Sequence, residues 1–314
     1  MPSITTVHLT KKFGAFTALH DLNLSIEGSK CVGFLGPNGA GKTTTLKLLS
    51  DMIFPTSGEA FLNGVPVRAD RKRALAQAGV LIETPEIYAS LTPREALGMV
   101  ASLRGLPHAE QPGRIRAVLD EVKMAEWADK KVGKFSKGMK QRINIAAALL
   151  TDPEVLLLDE PSTGLDPRGM AEVREIIRGL KRDRRLIFMS SHILSEVADV
   201  CDEVALVNRG ELLFYDTLDR VTARFARGSA PVDVAFARPV PDAELTGRLA
   251  TLPGVSSVQR LDPTHVRLVV TPAGPDGPER LFSAVAALGL GAMQLRETAS
   301  ALEDAYMSLV EKGD

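Results

Sequence analysis

The sequence predicts an α/β core built on a parallel sheet, with antiparallel and helical subdomains, followed by a small α+β unit. Three observations point to it. Short, almost uniformly apolar runs at Cys31 to Leu35, Val155 to Leu158 and Leu186 to Ser190 are set among helical patterns, as in strands covered on both faces. An Asn63-Gly64 turn between Glu59 to Leu62 and Val65 to Val67 marks an antiparallel hairpin. Beyond Pro231 the order strand, helix, strand, strand, helix, strand is that of a ferredoxin-like unit.

Taken in order, strands are expected over Ile4 to Leu9 and Leu22 to Ile26, ahead of the run at Cys31. Residues 70 to 151 read as mostly helical, with a helical subdomain at about 84 to 151. Thr92, Pro93 and Glu95 form a capping box that starts one helix. Further helices are expected over Arg114 to Lys123, Gly138 to Leu150, Pro167 to Lys181 and Ile193 to Val200. Val204 to Val207 and Leu212 to Phe214 flank a turn at Asn208-Arg209-Gly210. The composition shift at residues 227 to 231 reads as a linker, dividing a domain at 1 to 226 from an accessory domain at 232 to 314. In the latter, helices are expected over Asp242 to Leu252, Glu279 to Leu288 and Leu302 to Val310.

Gly36, Gly41, Lys42 and Thr43 fit the spacing G-x-x-x-x-G-K-[ST] of a phosphate-binding P-loop, with a strand before and a helix after. Successive backbone N–H groups turn inward around an anion, and the following helix adds its unpaired N–H groups and positive dipole end. Lys42 would reach the β- and γ-phosphates and the Thr43 hydroxyl would ligate Mg2+. A second carboxylate-bearing strand end is supplied by Asp159, where ligands of open α/β sheets sit, and Glu160 could polarise an attacking water. His192 follows another buried strand, so its imidazole could meet the γ-phosphate or the water. His8, His20, His108 and His265 read as structural.

Phe135-Ser136-Lys137-Gly138-Met139-Lys140-Gln141-Arg142 opens a helix with a good N-cap, a small residue and three cations. The bland reading is a capped helix with a solvated basic face. A second phosphate-ready helix start beside a single P-loop instead suggests another nucleotide.

With these motifs in order, the chain resembles the ATP-binding cassette family, the ATPase subunits of ABC transporters, over about residues 4 to 226. GPNGAGKTT (Gly36, Pro37, Asn38, Gly39, Ala40, Gly41, Lys42, Thr43, Thr44) looks like its Walker A motif and LLLDE at 156 to 160 like Walker B. STGLD at 162 to 166, ending in Asp166, is similar to the D-loop, SSH at 190 to 192 to the switch histidine, and FSKGM to the signature. Phe13 matches the aromatic that stacks on adenine. The resemblance implies two cassettes head to tail, a homodimer, with each ATP between one copy's Walker A and the other's Ser136 and Gly138. Lys137 and Met139 depart from the usual L-S-G-G-Q, and Glu83 stands where the family has a glutamine that links Mg2+ and water to the membrane partner. Glu83 could still ligate the metal. The segment Ile82-Glu83-Thr84-Pro85, the signature and a C-terminal A-L-E-D-A-Y-M-S-L resemble bacitracin and lantibiotic exporter ATPases and their multidrug relatives.

The 314 residues are 45% hydrophobic and 25% charged with net charge −1, an ordinary globular balance with no global pull toward nucleic acid. Cys31 and Cys201 stand at no metal-ligand spacing, as in a reduced cytosolic protein. The N-terminus has no secretory signal, and no apolar run approaches the ~20 residues a bilayer needs. The reading is an ATP- and Mg2+-dependent exporter ATPase, cytoplasmic and peripheral on the inner face of the membrane, with a separate permease and no nucleic-acid partner. A helical segment at 83 to 104 with Tyr88 would meet that permease. The alternative is a soluble family member acting on ribosomes or nucleic acid through runs such as Arg71-Lys72-Arg73 and Lys181 to Arg185. A small-molecule kinase or GTPase fits the P-loop alone.

Overall fold

The computed structural model describes residues 1–83, 86–181, 185–225, 230–270 and 277–297, and the chain divides into two units, Met1–Thr217 and Leu218–Asp314. The division falls ahead of the expected linker at 227 to 231, of which residues 226–229 lie outside the described residues.

The first unit opens with a hairpin, β1 (Ser3–Phe13) and β2 (Phe16–Glu27), followed by β3 (Cys31–Leu35) and α1 (Lys42–Leu49). β4 (Ser57–Leu62) and β5 (Val65–Pro66) flank Asn63-Gly64. An antiparallel sheet results, in the order β2-β1-β4-β5. Asn63 takes a positive φ of 51°, as the primed hairpin turns require.

The stretch expected to be mostly helical starts differently. After α2 (Arg71–Ala76), residues Ala78–Leu81 form a strand, β6. Its four residues pair in parallel with β7 (Val155–Asp159), from Ala78 against Val155 to Leu81 against Leu158. Long-range pairing, and not local pattern, decides so short a run. Helices then follow as expected: α3 (Pro93–Leu103), α4 (Gln111–Glu121) and α5 (Lys137–Leu149), with 3-10 turns at Ala125–Trp127 and Val132–Lys134. Thr92 and Glu95 form the full capping box on α3.

α6 (Pro167–Lys181), β8 (Leu186–Ser191), α7 (Leu194–Val200), β9 (Glu203–Asn208) and β10 (Glu211–Thr217) complete the unit. The main sheet runs β10-β9-β3-β8-β7-β6, parallel except for the antiparallel β9–β10 edge. β3, β7 and β8 are buried at every position, which explains their nearly unbroken apolar sequence. Phe34 and Phe188 meet on adjacent strands with ring centroids 5.1 Å apart. α6 turns Val173, Ile176, Ile177 and Leu180 inward, the i, i+3, i+4, i+7 stripe of a helix lying on a sheet. Cys31 and Cys201 are buried free thiols with sulfurs 3.6 Å apart; the hydrogen bond between them, with burial, pushes the Cys201 thiol up.

Arg185 corrects the reading of Lys181 to Arg185 as a basic surface run. Its side chain is only 7% exposed and pairs with Glu121 and Asp152. Arg114 joins the same cluster and donates to the Leu149 and Leu150 carbonyls at the end of α5.

The second unit begins with a helix absent from the sequence reading, α8 (Leu218–Phe225). β11 (Ala230–Phe236), β12 (Val255–Arg260), β13 (His265–Val270) and β14 (Ala292–Glu297) form an antiparallel sheet in the order β12-β13-β11-β14. A helical turn, α9 (Asp242–Glu244), passes into a π-turn over Leu245–Leu249 in place of one continuous helix, and α10 (Gly277–Ala287) precedes β14. Val232, Val234 and Phe236 alternate into a core with Val266, Leu268, Leu281 and Val285. Asp233 and Arg267, directly opposed, form a two-pronged ion pair. Leu302 to Val310 and the A-L-E-D-A-Y-M-S-L segment lie outside the described residues.

Candidate phosphate-binding and hydrolytic site

The site forms where β3, β7 and β8 end together. Their register sets Leu35 against Ser191 and Asp159 against Ser190, so three strand ends share one edge. The loop 36 to 41 leaves β3 there. Gly41 has φ 103°, and a Cβ on it would stand 2.7 Å from the Ala18 carbonyl oxygen. A Cβ at Gly36 would meet the Val207 carbonyl oxygen at 2.2 Å. Both positions therefore require glycine.

Lys42, 4% exposed, donates to the Gly36 carbonyl at 2.8 Å and the Pro37 carbonyl at 3.0 Å. Its ammonium also lies 3.4 Å from Glu160 Oε1. One residue on, the Thr43 hydroxyl donates to Asp159 Oδ1 at 3.2 Å. Pro37, Asn38, Gly39 and Ala40 form the loop, Gly39 at φ 83°, and Thr44 faces the half-buried side of α1. The sequence-predicted Lys42, Thr43, Asp159, Glu160 and His192 thus converge.

Two residues not singled out individually complete the group. Ser190 donates to Asp159 Oδ1 at 2.6 Å and accepts the Glu160 N–H at 2.9 Å, tying the two acids to the neighbouring strand. Thr163 donates to Glu160 Oε2 at 2.9 Å, and His192 Nδ1 lies 3.1 Å from the same oxygen. Both sit inside recognisable motifs, but only the strand register and the turn after Glu160 show what they touch. Glu160 itself has φ 43°, an uncommon conformation for a residue with a Cβ and one that clusters at functional sites. Burial, the largest single influence, pushes its carboxyl up; the Thr163 hydroxyl, the Lys42 ammonium and His192 outweigh it and hold the carboxyl below the ordinary glutamate value.

Other predicted residues stand elsewhere. Glu83 is 67% exposed and pairs with Lys47, one turn along α1 from Thr43, at 2.5 Å. Asp166 Oδ1 accepts the Gly169 N–H and so caps α6. Ser136 caps α5 by accepting the Met139 N–H at 3.2 Å, and its side of the helix start is exposed. Gly138 lets α5 approach α6 closely, since a Cβ there would stand 3.3 Å from the Gly169 Cα. Gln141 of α5 donates to the Pro161 carbonyl at 2.8 Å, joining the signature helix to the turn after Glu160. Phe13 ends β1 at the hairpin tip, directly opposite Phe16 and half-exposed.

An apolar groove of about 290 Å3 opens separately, between β6 and helices α3 and α5, lined by Leu81, Ile87, Tyr88, Val100, Arg104 and Ala147 among others. Tyr88 is an exposed aromatic at its edge.

A buried lysine on a glycine loop at the start of a helix, facing an aspartate and a glutamate at the end of one buried strand, defines a P-loop nucleoside triphosphatase. The comparisons narrow the class. The family model described as ABC transporter matches residues 19–163. The bacitracin transport ATP-binding protein BcrA of Bacillus licheniformis is 42% identical over 222 residues, 70% of this chain and 72% of that one. The lantibiotic transport ATP-binding protein SrtF of Streptococcus pyogenes is 36% identical over 68% of this chain and 90% of its own. An uncharacterized ABC transporter ATP-binding protein, YxlF of Bacillus subtilis, is 32% identical over 96% of this chain and 97% of its own, so the likeness extends through the second unit. Among solved structures, an ATP binding subunit of an ABC transporter superposes with a TM-score of 0.62 at 30% identity, over 71% of this chain and 92% of that one. The chain belongs to the ATP-binding subunits of ABC transporters, a family of ATPases.

Proposed function

We propose that the protein powers an exporter of the bacitracin and lantibiotic kind: two copies close on two ATP molecules, hydrolyse them and reopen, driving a separate membrane permease. The observation that carries this reading is the presence of two phosphate-ready helix starts in one chain. α1 has Lys42, Thr43, Asp159, Glu160 and His192 beside it. α5 offers an exposed Ser136 as its N-cap, a neighbouring glycine and an exposed Lys137. An ATP held by α1 of one copy is completed by α5 of the other.

Within the site, Lys42 exchanges the Gly36 and Pro37 carbonyls for the β- and γ-phosphates, and backbone N–H groups of residues 38 to 43 surround them. Adenine stacks on Phe13. The adjacent Thr43 hydroxyl and Asp159 carboxylate fit Mg2+, which takes one or two protein oxygens and fills its remaining positions with phosphate and water. Held there, Mg2+ would supply positive charge to offset that developing on the phosphates. Glu160, held ionised, accepts a proton from the attacking water, and His192 keeps the carboxylate aimed.

No described helix is long and apolar enough to cross a membrane. We assign the groove beside Tyr88 to the permease and infer from that assignment a location at the inner face of the cell membrane.

Glu160→Gln tests the reading. ATP affinity should persist while turnover falls by about 10²-fold or more, the usual worth of a general base. Turnover near the wild-type rate would remove Glu160 from that role.

A further inference from the structure

Lys11 lies two residues before Phe13 on β1, and its ammonium is fixed at two points. Nζ donates to the Phe54 carbonyl at 2.8 Å and stands 4.7 Å from the centroid of the Phe13 ring. Among the described residues no carboxylate pairs with it, so the ring and the carbonyl are its partners. The carbonyl comes from a pinned segment. The Arg68 guanidinium covers the Phe54 ring at 3.5 Å, and Arg68 and Arg71 both pair with Asp51, at 3.8 and 3.4 Å. Register shifts on either side of Lys11, between Leu9 and Lys11 and between Lys11 and Lys12, interrupt the β1–β2 ladder where the side chain must be aimed along the hairpin.

A cation over one face of an aromatic ring does two things. It holds the ring against rotation, lowering the entropy cost of stacking a ligand, and it draws π density toward itself, favouring an electron-rich purine on the opposite face. Phe13 is 49% exposed, which leaves room for such a base.

We propose that Lys11 is a positioning residue for nucleobase recognition: anchored on the Phe54 carbonyl, its ammonium fixes Phe13 as a one-sided platform whose open face takes the adenine of ATP. This rests on the assignment of Phe13 to adenine above. Lys11 touches no part of the nucleotide; it acts through the ring.

The experiment measures binding of two probes to the full chain by calorimetry: the magnesium complex of the non-hydrolysed ATP analogue AMP-PNP, and magnesium tripolyphosphate, which has no base. Lys11→Met should raise the dissociation constant for AMP-PNP about two- to fivefold, the range of an exposed cation–ring contact. Tripolyphosphate binding should be unchanged and Lys11→Arg should restore the affinity. Phe13→Ala should weaken AMP-PNP about tenfold, as loss of a base-stacking ring does, and Lys11→Met added to it should do nothing more. Equal losses for both probes, or the same loss with and without Phe13, would make Lys11 a general electrostatic contributor and overturn the proposal. Full affinity in Lys11→Met beside a weakened Phe13→Ala would overturn Lys11 alone. An unaffected Phe13→Ala would overturn the adenine assignment itself.

Discussion

The Lys42 ammonium lies 3.4 Å from the Glu160 carboxylate, although Lys42 opens α1, Glu160 follows β7 and 118 positions of sequence separate them. The ion pair joins the P-loop lysine to the residue proposed above as the base, so on that reading a bound γ-phosphate competes with Glu160 for the ammonium. Lys42→Met removes the buried cation and the phosphate contacts together. ATP affinity should fall at least tenfold, since hydrogen bonds to charged groups are worth about 1.5–3 kcal/mol, and titration calorimetry reads it.

Ser190 carries no charge and sits on a buried strand, yet it bonds both acids of the site. Ser190→Ala should lower kcat about tenfold while the dissociation constant for AMP-PNP changes little. A parallel change in both would assign Ser190 to binding instead.

Arg185 should matter more to stability than any residue of the Arg71-Lys72-Arg73 run. Its removal leaves Glu121 and Asp152 with Arg114 as their remaining cation in the cluster. Arg185→Ala should cost about 1.5–3 kcal/mol in denaturant unfolding of the full chain, the worth of a hydrogen bond to a charged group, against about 0.5 kcal/mol or less for Lys72→Ala on the exposed face of α2.

Asp152 adds a pH dependence. The hydrogen bond from Arg185, with Arg114 nearby, holds its carboxyl below the ordinary aspartate value against the raising effect of burial. A carboxyl depressed on folding contributes stability that is present above its unfolded value and lost as pH falls through the folded one. Asp152→Asn should therefore melt below the wild type at pH 7, with the gap closing in acid below about pH 4. A gap independent of pH would show that the charge is not what Asp152 contributes.

How much of this was legible follows from where the information lies. The P-loop, the acids at the end of β7 and the caps at Thr92 and Ser136 are local patterns, and the structure has them in place. β6 was missed because four residues containing a glycine carry little strand signal, and only the edge of β7 makes them a strand. The true length of β1 was hidden by Thr10, Lys11 and Lys12, polar residues of which Thr10 pairs with β4 and the two lysines with β2. Ser190 and Thr163 could be named from motifs, but their partners depend on register and on the turn after Glu160. Glu83 could be aligned with the metal site from sequence; its pairing with Lys47 depends on where α1 lies.

On the proposed function, one chain holds two incomplete nucleotide sites that only a second copy completes. Sedimentation of Glu160→Gln protein in saturating MgATP, with and without Ser136→Arg, tests it most directly. A dimer is expected in the first case, and in the second a monomer that still binds ATP at its own P-loop, but more weakly, because the contribution of the second copy is lost. A Ser136→Arg protein that dimerises as readily, or ATP binding that never changes the mass, would contradict it.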